Sequence, residues 1–184
     1  TLILFPIPAP LAPLGETPRP QWLDSRLPKT SDSVPHQHEN CYSYMSLTLT
    51  LEEKQNLCQK AQQVAQLAYA PYSKFRVGAA ILGWKNIYVG TNVENASYGL
   101  SLCAERSALA TAIAQGERNF RAIAIACIDA KNEQDIQRMV PCGACRQWIA
   151  ELATTAEIII CGANHSFCLE DLLPMSFQLK RKYK

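Results

Sequence analysis

No apolar run in this 184-residue chain approaches the roughly 20 residues that a membrane-spanning helix needs, so no membrane partner is expected. Charge of one sign is also scarce. Eighteen Lys and Arg stand against 16 Asp and Glu, a net of +2, which offers no broad basic field for a nucleic-acid backbone. Histidine is nearly missing: His36 and His38 lie in a proline-rich stretch and His165 is isolated, so none of the three stands out as a metal ligand. Proline is sparse beyond residue 44, where only Pro71, Pro141 and Pro174 occur. The other eight crowd into residues 1–44, where missing N–H donors and restricted preceding residues disfavour helix and central strand. Residues 1–44 are therefore expected to be a disordered extension, and residues 45–184 the folded domain. The apolar opening Thr1–Leu14 is a poor secretory signal, because prolines interrupt it and no Lys or Arg precedes it. That reading implies a reducing, cytoplasmic compartment, in which paired cysteines more often bind metal or do redox chemistry than form disulfides.

What is present is 48% hydrophobic and 18% charged, the balance of a globular domain. Thr50-Leu51-Glu52-Glu53 is a capping-box pattern, and Leu57, Ala61, Val64 and Ala68 then recur at helical spacing. Phe75–Gly83 reads as a strand, Trp84-Lys85-Asn86 as a turn and Ile87–Val93 as its antiparallel partner. An alanine-rich helix is predicted from about Cys103 to Ala114, closed by Gly116. Arg121–Asp129 and Glu157–Cys161 read as buried strands. Between them Pro141 opens a helix running to about Leu152, and a short element near Glu170–Leu173 follows. The order α, β, β, α, β, α, β contains two crossovers after a hairpin. It predicts an α/β fold with a mixed sheet and helices on its faces.

Three features carry the chemistry: Cys103-Ala104-Glu105, Pro141-Cys142 and Cys145. Each thiol falls at a predicted helix N-terminus, where the dipole and free N–H groups favour thiolate. Cys142 and Cys145, three apart, project from one turn, and Cys103 supplies a third sulfur from another helix. Three thiolates suit Zn²⁺ with one coordination position left for water, the arrangement of catalytic sites. Glu105 stands two residues from Cys103, placed to handle that water's proton without ligating. A C-x-x-C alone also fits thioredoxin-like redox, half of a structural zinc site, or coincidence. The remaining cysteines, Cys58, Cys127, Cys161 and Cys168, read as small apolar packing residues. The basic end Lys180–Lys184 reads as a solvated terminus.

C-x-E opening one helix and P-C-x-x-C opening the next is the signature of the zinc nucleobase deaminases. Tyr72-Ser73-Lys74-Phe75-Arg76-Val77-Gly78, Asn92-Val93-Glu94-Asn95, Cys103-Ala104-Glu105-Arg106, Pro141-Cys142-Gly143-Ala144-Cys145-Arg146-Gln147 and Leu172-Leu173-Pro174-Met175-Ser176-Phe177 resemble the small cytidine deaminases over Met45–Phe177. The resemblance implies a three-layer α/β/α sandwich, one Zn²⁺ per subunit held by Cys103, Cys142 and Cys145, and Glu105 as the catalytic proton carrier. It implies that Asn92 and Glu94 bind the nucleoside sugar, that Phe75 packs near the pyrimidine, and that the Ala104 backbone contacts the base. Arg106 is implied to hydrogen-bond the ligand sulfurs and offset the −1 charge of three thiolates with Zn²⁺. Arg146 is a weaker candidate for the same work. Phe177 is implied to reach into a neighbouring subunit's site within a homotetramer. The implied reaction is hydrolysis of cytidine or deoxycytidine to uridine or deoxyuridine and ammonia. Competing expectations are a deaminase acting on a polynucleotide base or an antibiotic nucleoside, and a non-enzymatic structural-zinc module.

Overall fold

The computed structural model describes residues 49–84, 86–130, 136–163 and 166–179. The proline-rich segment 1–44, the three histidines, Lys85 of the predicted turn and the basic end 180–184 lie outside the described residues.

Five strands form one sheet in the order β2-β1-β3-β4-β5. In chain order the elements are α1 (Leu51–Ala65), β1 (Val77–Leu82), β2 (Ile87–Thr91), α2 (Ala104–Ala114), β3 (Ala122–Cys127), α3 (Gly143–Leu152), β4 (Glu157–Ile160), β5 (Ser166–Phe167) and α4 (Leu169–Leu172). Single 3₁₀ turns occur at Tyr98–Leu100 and Ile136–Arg138. β1 pairs antiparallel with β2 and β3, β3 pairs parallel with β4, and β5 returns antiparallel on β4. Helices cover both faces, so the sandwich and the mixed sheet are as expected. The strand β5 is an addition: two residues leave no periodicity to read in the sequence.

Local chemistry accounts for the boundaries. Thr50 accepts from the Glu53 N–H while the Glu53 carboxylate accepts from the Thr50 N–H, closing the capping box that starts α1. Gly116, at φ +87°, ends the turn after α2 in a conformation few side chains tolerate. Along β3, alternation sorts the run Ala-Ile-Ala-Ile-Ala-Cys by face. Ile123 and Ile125 join Ile158 and Ile160 in the larger core beneath α2, α3 and α4. Ala122, Ala124 and Ala126 line the other face with Ala80 and Ile159, and the small alanines leave room for α1 to dock through Leu57 and Ala61. Strand β3 is thus asymmetric: isoleucines beneath three helices, alanines beneath one.

Two glycines set how close those helices come. A Cβ at Gly78 would lie 2.1 Å from the Ala61 carbonyl oxygen of α1. A Cβ at Gly90 would lie 2.3 Å from the Ala108 nitrogen of α2. Backbone meets backbone at both places, one on each face of the sheet.

Cys58 of α1 and Cys161, the residue after β4, are joined by a disulfide with Cα atoms 5.5 Å apart. This corrects the reading of both as unpaired packing residues. Both flank the alanine-lined layer, which brings their Cα atoms within the range a disulfide spans. They are 103 residues apart in the chain, so spacing gave no hint of the pairing. The same helix is also held by an ion pair from Lys54 to the buried Glu157 and by one from Glu53 to Arg121.

Candidate active site

The site is assembled where α2 and α3 begin. Cys103 is the N-cap of α2 and Cys142 the N-cap of α3, with Cys145 buried in the first turn of α3. The Cys103–Cys142 sulfurs are 3.7 Å apart and the Cys142–Cys145 sulfurs 3.5 Å apart. All three lie within 4.8 Å of one another. Tetrahedral zinc with Zn–S bonds of about 2.3 Å requires sulfurs about 3.8 Å apart. Among the described residues this is the one group of three or more Cys, His, Asp or Glu able to share an ion. The Cys103 thiol is pulled down to about 5, chiefly by its hydrogen bond with Cys145, with Arg106 adding to the effect against burial. The Cys145 thiol is pushed up by that shared hydrogen bond, then by burial and by the charge of Glu105. A thiolate already favoured, with two further thiols in contact, is a donor set that fits a soft divalent metal.

Two neighbours complete the electrostatics. Glu105, in the first turn of α2, is only 5% exposed. Burial raises its carboxyl above the usual range, and the nearby Cys103 charge adds to the effect. Arg106 donates from Nη2 to the Ser101 carbonyl at 3.1 Å and to the Cys103 sulfur at 3.6 Å. Its Nε is buried with no hydrogen-bond partner among the described residues. A guanidinium held against the ligand cluster complements the negative charge that thiolates carry.

A ladder of backbone hydrogen bonds fixes where α2 starts. Val93 and Leu102 exchange N–H···O bonds at 2.9 Å, so the residue before Cys103 is tied to the segment that follows β2. The Tyr69 N–H donates to the Asn92 carbonyl and the Glu94 N–H donates to the Tyr69 carbonyl, extending the ladder toward α1. Side chains wire the same region. Asn92 accepts from the Val77 N–H at 2.8 Å and donates to the Phe75 carbonyl at 2.9 Å. The Glu94 carboxylate accepts from the N–H groups of Tyr72 and Ser73 at 2.8 and 3.2 Å. Its pKa is lowered, first by the Ser73 hydroxyl. Asn92 and Glu94 therefore hold the 71–77 loop, with Phe75 half-buried in it. An amide oxygen and nitrogen each keep one further valence, and the carboxylate keeps several, so this scaffold role leaves hydrogen-bonding capacity for a ligand.

Ala104 is fully buried beside Cys103. Phe177 is 67% exposed and lies against α3, lining an open groove of about 700 Å³ with Trp148, Leu152 and Leu179. Arg146 departs from expectation: it reaches no ligand sulfur in the structure, and its guanidinium instead meets the carbonyls of Pro141 and Leu172. Cys127, read as plain packing, ends β3 close enough to Glu105 for that charge to add to burial, and its thiol is pushed up to about 12. Only tertiary proximity reveals that neighbour.

A three-thiol cluster at paired helix N-termini, with a buried carboxylate beside it in an α/β/α sandwich, defines a zinc hydrolase site of the nucleobase-deaminase kind. The cytidine and deoxycytidylate deaminase zinc-binding region matches residues 51–163, and the chain belongs to that family. It is 45% identical over 101 residues to a probable cytidine deaminase of Dictyostelium discoideum, covering 54% of this chain and 65% of that one. It is 41% identical over 131 residues to a cytidine deaminase of Halalkalibacterium halodurans, covering 68% of this chain and 94% of that one. The crystal structure of a cytidine deaminase from Burkholderia pseudomallei superposes with a TM-score of 0.60 at 40% identity, covering 70% of this chain and all of that one.

Proposed function

We propose that this protein catalyses the zinc-dependent hydrolysis of cytidine and deoxycytidine, with water replacing the 4-amino group to give uridine or deoxyuridine and ammonia. The observation that carries the proposal is the convergence of the Cys103, Cys142 and Cys145 sulfurs beside the buried Glu105 carboxyl. Zinc bound by those sulfurs supplies Lewis acidity toward water near neutral pH. The protein's own groups do the rest. Glu105 takes a proton from the attacking water and delivers it to N3 of the base, then takes the second proton from the new hydroxyl at C4 and passes it to the 4-amino group, which departs as ammonia. Burial supports that shuttling, since it raises the carboxyl pKa and makes Glu105 a better proton acceptor than an exposed carboxylate. Arg106 holds the ligand cluster's charge in check.

Asn92 and Glu94 recognise the sugar hydroxyls with their remaining valences, Phe75 packs by the pyrimidine, and the Ala104 backbone contacts the base edge. The substrate is a free nucleoside, with no nucleic-acid partner, within pyrimidine salvage. The protein works as a homotetramer in which Phe177 crosses into a neighbouring subunit's site. That reading is supported by an aromatic side chain two-thirds exposed beside Trp148, which is 39% exposed, since rings left to water are the currency of interfaces.

Ammonia release from a panel of nucleosides, with and without chelator, tests the reaction. Chelator-sensitive turnover of cytidine and deoxycytidine is expected, and its absence from purified, zinc-loaded protein refutes the proposal. Mixing Phe177→Leu with Glu105→Gln subunits tests the shared site. Hybrid oligomers should regain some sites of wild-type KM. A KM fixed at the Phe177→Leu value at every ratio refutes sharing.

A further inference from the structure

We propose that Arg146 is a positioning residue that ties the C-terminal segment Leu172–Phe177 to the turn carrying the metal ligands, and so sets where Phe177 leaves the fold. Arg146 lies in the first turn of α3, directly after the buried Cys145. A cation there opposes the helix dipole, so helix stability does not account for it. The side chain instead spans two backbone carbonyls. Nε donates to the Pro141 oxygen at 2.7 Å, and Nη1 donates to the Leu172 oxygen at 2.6 Å. Pro141 is fully buried and immediately precedes Cys142. Leu172 is the last residue of α4, where the final carbonyls have no partner within the helix. One guanidinium therefore couples the ligand turn to the end of α4.

The next residue makes a second attachment: Gln147 Nε2 donates to the Phe177 carbonyl at 2.9 Å. Consecutive residues of α3 thus hold carbonyls 172 and 177. Between them the chain turns through Met175, at φ +55° and fully exposed. Leu169 is buried and Leu172 and Leu173 pack on the main core, so α4 is anchored by apolar contacts without Arg146. The arginine's contribution begins where those contacts stop. Lysine is no substitute, because one ammonium on a flexible stem cannot reproduce a planar fork bonded at two nitrogens.

The effect on catalysis rests on the reading of Phe177 as a substrate-contacting ring, so the experiment separates the two ideas. Zinc content, kcat, KM for cytidine and amide hydrogen exchange are measured for Arg146→Met, Arg146→Lys, Phe177→Leu and the paired variants. Arg146→Lys keeps the charge and the apolar stem, which preserves the test if Arg146→Met does not fold. With Arg146 replaced, zinc should stay at one per chain and kcat within about threefold. KM should rise three- to tenfold, and exchange over residues 173–179 should quicken at least tenfold. Adding Phe177→Leu should then raise KM little further, since both changes remove one contact. Unchanged exchange over 173–179 overturns the proposal, as do KM effects that multiply, or loss of zinc with KM intact. If Phe177→Leu alone leaves KM unchanged, the substrate reading of Phe177 falls, and the exchange rates still decide the role of Arg146.

Discussion

Gly90 and Gly78 permit a matched pair of substitutions that separates the packing of the sheet from the placement of the site. An alanine Cβ at position 90 would sit 2.3 Å from the Ala108 nitrogen and 2.8 Å from the Ala108 Cα and the Ser107 carbonyl carbon. These are helix backbone atoms, so no rotamer change relieves the clash. Ordinary contact begins near 3.4 Å, so α2 must retreat from β2 by about 1 Å. That helix carries Cys103 at its N-cap and Glu105 in its first turn, while Cys142 and Cys145 belong to α3 and stay behind. Overpacking of this kind costs about 1–3 kcal/mol. A displacement of about 1 Å at a reacting centre costs on the order of 10²-fold in rate. Gly78→Ala meets α1 just as closely, at 2.1 Å from the Ala61 oxygen, but α1 bears no site residue and lies on the opposite face. Both variants should therefore melt lower, while Gly90→Ala alone loses about 10²-fold in kcat/KM and part of its zinc. Thermal melts, zinc per chain and kcat/KM on cytidine make the comparison. Equal loss of activity in variants of equal stability would show that the approach of α2 to β2 does not hold the site.

Glu105→Gln keeps the shape of the side chain and removes its proton acceptor. Zinc should be retained while kcat falls about 10²–10⁴-fold, and more than a tenth of wild-type turnover would remove Glu105 from the mechanism. Replacing Cys58 and Cys161 together by serine opens a cross-link between residues 103 apart. Losses of about 2–4 kcal/mol are usual for such links, so Tm should fall by roughly 6–15 °C with activity at 25 °C intact. An intact mass matching eight free thiols in the non-reduced wild type would refute the link. Asp129 accepts from the Arg76 backbone N–H, Nε and Nη2, and its carboxyl is drawn down to about 2, first by the Arg76 side chain. A depressed carboxylate stabilises the fold above its unfolded pKa of about 3.9, and that contribution is lost as pH falls through the folded value. The Tm gap between wild type and Asp129→Asn should hold steady from neutral pH to about 5 and close between about 4 and 2. A gap unchanged at pH 2 would exclude the ion pair as its source.

Read alone, the sequence determined the parts of this protein whose physics is local or periodic. The Thr50 capping box, the continuous apolar run of β3 and the glycine closing α2 each depend on residues within a few positions of one another. The three-thiol cluster and its neighbour Glu105 were legible because C-x-E and P-C-x-x-C are short-range patterns at helix starts, and together they match a family signature. Tertiary structure alone decided what joins residues far apart in the chain. Cys58 meets Cys161 only because both border the thin alanine-lined layer beneath α1. Arg146 exchanges an expected place at the sulfurs for the carbonyls of Pro141 and Leu172, a choice set by where α4 docks. Asn92 and Glu94 prove to be ties within the 71–77 loop as well as candidate sugar contacts. Hydrogen bonds and disulfides act over a few ångströms, and a linear pattern does not specify which distant backbone groups the packing of isoleucine and alanine faces will bring that close.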